Sequence, residues 1–141
     1  MPVRRIALAL LPFLAAPALC AQAAPTPRDT LALARQYTTW FYSGQADSLV
    51  AHSDSATRAL PDAKDRYEDA FLQLTMHGGQ EVSVVEEKFV KRLGHTQYWR
   101  TARFSAYTAE PVQVRWAVNE KWEIVGLGLN PLSQAPPVDS Q

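Results

Sequence analysis

The residues able to do chemistry are few and scattered. His52, His77 and His95 lie 25 and 18 residues apart, spacings that match no metal motif such as two histidines one helical turn apart beside a glutamate. His52 and His77 fall near the ends of helical stretches, where the helix dipole favours a histidine without any catalytic role. A carboxylate base needs burial that raises its pKa. Asp62, Asp65, Glu68 and Asp69 sit mostly on the polar side of one helix, where solvation accounts for them. Glu86 and Glu87 are neighbours on a strand, so they point to opposite faces and one of them can turn inward. An edge charge that blocks aggregation is the plainer reading of this pair. Tyr37, Tyr42, Tyr98, Trp99, Trp116 and Trp122 can line an apolar pocket, with Arg100 or Arg103 reaching an anionic group. Core packing accounts for aromatics at these spacings as well. The set expected around a ligand is Tyr37, Trp40, Tyr67, Phe71, Tyr98 and Arg100. No catalytic residue, metal site or cofactor is expected.

These side chains must be carried by the elements that the periodicity predicts. Thr26-Pro27-Arg28-Asp29 reads as a helix start, with Thr26 as N-cap and Pro27 in the first helical position. Leu33, Ala34, Tyr37, Trp40 and Phe41 then form an apolar stripe, and Gly44 ends the helix. A shorter helix is expected from Ala46 to about His52, with a looser continuation to Leu60 before Pro61 stops it. A third, opened by Asp62, repeats Tyr67, Ala70, Phe71 and Leu74 at helical spacing and closes at Gly78-Gly79.

Beyond Gly79 the period changes to two. The run from Glu81 to Arg92 slips phase between Val84 and Val85, which predicts a bulge or a strong bend. Leu93-Gly94-His95 is a turn signal. The next strand alternates Tyr98, Arg100, Ala102 and Phe104 against Trp99, Thr101 and Arg103. Glu110 to Pro131 reads as a hairpin, with Val112, Val114, Trp116 and Val118 on one face of its first strand and Asn119-Glu120-Lys121 as the polar break. Three helices followed by a four-stranded antiparallel meander make an α+β domain over 24–131, with a disordered tail over 132–141. Both faces of the sheet are apolar, so the face that the helices leave bare is expected to be an interface, with Trp99, Arg103 and Trp116 in it.

Arg4 and Arg5 before an apolar run ending in Ala21-Gln22-Ala23 read as a secretory signal peptide over 1–23. The run is too short and too broken by proline for a membrane span. Anchoring through Cys20 as a lipoprotein is the competing reading, disfavoured by Leu19 before it. Cys20 is the single cysteine, so the processed chain has neither disulfide nor thiol nucleophile. Cleavage leaves 118 of 141 residues, and basic residues fall from 14 to 12 against 14 acidic, a net charge of −2. A nucleic-acid partner would call for a basic excess.

Phe41-x-x-Gly44-x-x-Asp47-x-Leu49 and the closing Ile124-Val125-Gly126-Leu127-x-Leu129-x-Pro131 resemble an uncharacterised exported bacterial branch of the nuclear transport factor two-like superfamily. The resemblance implies a cone of helices and curved sheet shared with ketosteroid isomerase and scytalone dehydratase, with any site in the cone's mouth and dimerisation through the sheet. The chain departs from that branch at Lys121-Trp122, where an acidic-Gly turn is usual, and lacks its tryptophan near Phe71. The isomerases' Tyr with two Asp and the dehydratase's His and Asp set cannot be placed on this chain. The expectation is therefore an exported, non-catalytic binding domain, a homodimer taking a partner or a small apolar ligand, with no nucleic acid and no membrane role beyond export. The alternative is an isomerase, dehydratase or hydrolase using His52, His77 or Glu87 in the cone.

Overall fold

The computed structural model describes residues 26–138. The segment expected as a signal peptide, Cys20 within it, and the last three residues lie outside it.

Helix α1 (Pro27–Tyr42) starts as its sequence dictates. Thr26 Oγ1 accepts the Asp29 amide, and the Asp29 carboxylate takes the Thr26 amide in return. This reciprocal capping satisfies two of the donors that a helix N-terminus leaves free. Gly44, at φ +67°, turns the chain out of α1, and a side chain there would meet the Phe71 ring at 3.2 Å. Helix α2 (Ala46–Ala51) follows.

The looser continuation expected after α2 is instead a break and a new turn of helix, α3 (Ser55–Arg58), capped by the Asp54 side chain on the Thr57 amide. The break has a tertiary cause. Ser53 is drawn into a parallel bridge with Ile124, in which Ile124 N donates to His52 O and Asp54 N donates to Ile124 O, both at 2.9 Å. Among the described residues there are thus four helical segments before the sheet, where periodicity predicts three. The last is α4 (Ala63–His77), ended by Gly78 and Gly79.

Strands β1 (Glu81–Arg92), β2 (His95–Phe104), β3 (Val112–Val118) and β4 (Ile124–Pro131) form one antiparallel sheet in sequence order. The phase slip seen in the sequence is a real irregularity: β1 shifts register against β2 between Val84 and Glu86, and also between Glu81 and Ser83. Cross-strand pairs place Tyr98 beside Trp116, Arg100 beside Val114 and Ala102 beside Val112, so all six share the face that packs on the helices.

Tyr37 and Phe41 of α1 press on Trp116, with ring centroids 6.0 and 5.8 Å away, and the indole N–H donates to Thr38 Oγ1 at 3.0 Å. Trp116 is 0% exposed. It is therefore core, not interface, because α1 covers the face that carries it. Trp99 lies on the opposite face yet is only 3% exposed. Lys88 and Arg115 lie over its ring, at 5.9 and 6.0 Å from its centroid. Of the three residues expected at an interface, Arg103 alone is exposed.

Two tight places use unusual backbone. Leu93 and Gly94, at φ 52° and 76°, make the short link from β1 to β2. In the link from β3 to β4, Asn119 Oδ1 accepts the Lys121 and Glu123 amides. Trp122 there adopts φ 62°, a conformation costly for anything but glycine or asparagine. Its carbonyl accepts Tyr37 OH at 2.7 Å, and its ring meets Phe89 edge-on at 5.8 Å. These contacts from α1 and β1 hold it in place.

Part of the segment expected as a tail is ordered. Leu132–Gln134 form a 3-10 turn in which Ser133 donates from its amide and its hydroxyl to Glu110 at 2.7 and 2.8 Å. Further on, Pro137 O accepts Arg92 Nε at 3.2 Å. Glu110 precedes β3 and Arg92 ends β1, so the segment is pinned at opposite corners of the sheet.

Trp116→Ala should remove the largest side chain in the core and leave Thr38 without its donor. A loss of about 3–5 kcal/mol in unfolding free energy is expected for such a truncation, measured by urea denaturation; a loss under about 1 kcal/mol would contradict its place at the centre of the core.

Candidate functional site

Ionisable groups on the helix-facing side gather in one cluster between α1 and the first two strands. Arg100 on β2 points inward by alternation, and its side chain is 16% exposed. A guanidinium there needs partners on every side. Glu81 takes it bidentately, with Nε at 2.9 Å and Nη2 at 2.6 Å, and Glu87 takes Nη1 at 2.6 Å. Arg35 of α1 grips Glu87 through Nε at 3.1 Å and Nη2 at 2.6 Å. Tyr42 OH donates to Glu81 at 2.9 Å, and Tyr98 OH donates to Glu87.

Two arginines and two glutamates cancel, and their hydrogen bonds set the titration. The bond from Arg35 is the main cause that holds Glu87 down at about 2, assisted by Tyr98 and Arg100. Burial, then the bond to Glu87, pushes Tyr98 up to about 12. Burial and the neighbouring Glu81 raise Tyr42 as well. Arg100 is raised, chiefly by its bonds to Glu81. None of these shifted groups exchanges a proton near neutral pH. The cavity beside it, about 390 Å³, is walled by Arg35, Tyr42, Glu87 and Arg100 with Thr38, Thr39 and Val84.

The histidines do not converge. His52 stacks on Trp40 with centroids 4.5 Å apart, and its Nδ1 lies 2.8 Å from Ser48 O. His95 stands exposed at the start of β2. His77, in the last turn of α4, lines a cavity with no carboxylate in its wall. Among the described residues no three His, Cys, Asp or Glu side chains are grouped to hold a metal, and no helix is long and apolar enough to cross a membrane.

The open space lies between α4 and β4. Ala63, Tyr67, Ala70, Leu74 and His77 recur at steps of four and three, which is one stripe of α4. Leu127 and Leu129 face it from β4 at alternate positions, opposite Trp116 and Val114 of β3. Between stripe and strand run two cavities, of about 410 and 270 Å³, which meet at Leu129. Gly126 and Ala70 widen the first, and Pro131, Val112 and Tyr107 close the second. Polar groups stand at the margins. Arg66 is paired with Asp62 at 2.9 Å, and Tyr67 OH is committed to Ser53 at 2.8 Å. The result is a groove lined mainly by carbon, suited to an apolar guest.

The residues expected around a ligand are thereby divided. Tyr67 lines the groove. Arg100 and Tyr98 belong to the ion cluster. Tyr37 is core, at 2% exposed, Trp40 is occupied by His52, and Phe71 packs edge-on to Phe41. They do not form one pocket, because α1 packs directly on the sheet through Tyr37 and Phe41. Sequence reasoning passed over Ala70, Leu127 and Leu129, since nothing distinguishes small and aliphatic groove residues from core ones. It also passed over Arg35 and Glu81, whose partners are 52 and 19 residues away. Compared with models of known protein families, with curated proteins and with solved structures, the chain matches none.

The depressed Glu87 implies a pH signature. Its contribution to stability is complete above the unfolded glutamate value near 4.5 and falls away as pH drops toward about 2. Glu87→Gln should therefore be less stable at pH 7, with a flatter stability profile between pH 4.5 and 2 than the parent, read by denaturant melts across that range. Parallel profiles would remove the assignment.

Proposed function

We propose that this chain is an exported, non-catalytic binding domain of the nuclear transport factor two-like, cone-shaped kind, which holds a small apolar ligand in the groove between α4 and β4. The groove carries the reading. It is the opening that such a cone presents between helix and sheet, and its walls are mainly apolar, with Arg66, Gln73, His77 and Asn130 among their polar groups. The run of helices into an antiparallel meander and the glycines at 44 and 126 support the fold assignment. The leader over residues 1–23 directs the domain to the periplasm or the exterior.

Catalysis would require an ionisable group aimed at the guest. Glu87 is held as a carboxylate by two arginines and a tyrosine, away from the groove, and His77 has no acid in its cavity wall to orient it. The binding role therefore accounts for the arrangement better than an isomerase or hydrolase does.

Titration with a fluorescent apolar naphthalene dye tests this reading. Ala70→Trp, which puts an indole into the groove, should weaken binding by at least about tenfold, some 1.4 kcal/mol, without altering the far-ultraviolet circular dichroism. Leu72→Glu, on the exposed side of α4, should bind as the parent does. Equal dye affinity in the parent and Ala70→Trp would exclude the groove as the binding site.

A further inference from the structure

The sheet has two free edges, and they differ. β4 borders the groove. β1 stands at the far side, a strand of 12 residues with one side paired to β2 and the other without a strand partner among the described residues. Bare edges of this length invite pairing with another chain, and natural proteins usually shorten, cover or charge them. Here the edge carries charge at Glu86, Lys88, Lys91 and Arg92 and also exposed apolar side chains, Val85 at 53% and Phe89 at 39%.

Beyond its bulges β1 is regular, pairing residue for residue with β2 from Glu86 to Arg92. That regular stretch reads Glu-Glu-Lys-Phe-Val-Lys-Arg. Its charges are opposite about the central Phe89. Residues 86 and 92 carry unlike charges, as do 87 and 91, and the mates at equal distance from Phe89 share one face of the sheet by alternation. We infer that a second copy of this chain docks here, β1 against β1 and antiparallel, about a two-fold axis at Phe89, to make one continuous eight-stranded sheet.

In this register Glu86 faces the partner's Arg92, Lys88 faces the partner's Val90, and the two Phe89 rings meet at the axis, while Glu87, already held by Arg35 and Arg100, lies opposite the partner's Lys91. Centring one residue earlier sets Lys88 against itself and leaves both glutamates without a base. Centring on Glu87 opposes two carboxylates and draws the bulge at Val84–Glu86 into the pairing. Unlike charges directly opposite on antiparallel strands stabilise pairing and like charges oppose it, so charge selects the Phe89 register. A two-fold contact closes on itself, which covers the β1 edge of each copy without starting a fibre. The groove, at the other edge of the sheet, stays open, so this pairing does not depend on what the groove binds.

Sedimentation equilibrium of the purified protein, with circular dichroism as the check on folding, tests the pairing. The parent should show twice the monomer mass. Glu86→Arg alone and Arg92→Glu alone should each show the monomer mass, since each sets like charges opposite each other. An equimolar mixture of the two should return to twice the monomer mass, because in the mixed pair every introduced charge meets its opposite. In a Cys20→Ser background, Phe89→Cys should oxidise to a covalent dimer, whereas Val82→Cys, beyond the bulge, should not. A monomeric parent, dimers that persist in both single variants, or a folded mixture that stays monomeric would each overturn the proposal. If either charge variant fails to fold, the Phe89→Cys yield decides. Dye binding in the monomeric variants should equal that of the parent, which separates failure of the pairing from failure of the groove.

Discussion

Arg100 is the constraint around which this fold is arranged. Its position on β2 turns a guanidinium toward the helices, on the same face as Tyr98, Ala102 and Phe104. An unpaired charge there would cost several kcal/mol, so two carboxylates must reach it. β1 supplies both, and its irregularity is what allows this. In the register set by Glu87 opposite Arg100, an unbroken β1 would carry Glu81 past Phe104 to a position opposite Ala106. The two shifts, near Val82 and Val85, take up two residues and bring Glu81 opposite Phe104 instead. At about 3.4 Å per residue that moves its carboxylate about 7 Å closer to Arg100, and the bidentate pair closes at 2.6 and 2.9 Å.

The same cluster orients α1. Arg35 and Tyr42, two turns apart, reach Glu87 and Glu81, while Thr38 between them accepts the Trp116 indole N–H. Tyr37, one step around the helix, donates to the Trp122 carbonyl in the far turn. Four polar contacts, each with a fixed direction, thus set the rotation and the axial position of α1, while Tyr37 and Phe41 supply the apolar contact with Trp116. Apolar contact alone tolerates sliding and directed hydrogen bonds do not. With α1 seated over β2 and β3, α4 is left to border β4, and the space between them is the groove.

Much of this was readable from residue spacing. The cap at Thr26, the exit at Gly44, the parity of β2 and the slip at Val84 are local features, and each appears where its local chemistry places it. What spacing could not convey was which face of the sheet α1 covers. Trp99 and Trp116 each lie on a face rich in large side chains, and parity shows only that a strand has two faces. The choice depends on Thr38 and Arg35, whose partners are 78 and 52 residues distant. The break at Ser53 is of the same kind: the helical pattern runs through it, and the bridge to Ile124 overrides the pattern. The stretch after Pro131 has no apolar period because Glu110 and Arg92 hold it through hydrogen bonds rather than by burial of a face.

The distribution of charge bears on what the groove can do. The inward-facing guanidinium and carboxylates are spent on one another around Arg100, and the groove walls are formed mainly by apolar residues such as Ala63, Ala70, Leu74, Leu127 and Leu129. A site built from carbon discriminates by shape, at about 1–3 kcal/mol for each methylene gained or lost, and barely rejects a near isostere. The polar groups of its walls, among them Arg66, His77 and Asn130, add direction where a guest carries a polar end. The ion cluster and the groove lie toward opposite edges of the sheet, one beside β1 and the other beside β4, so the carboxylates that the burial of Arg100 demands do not border the groove.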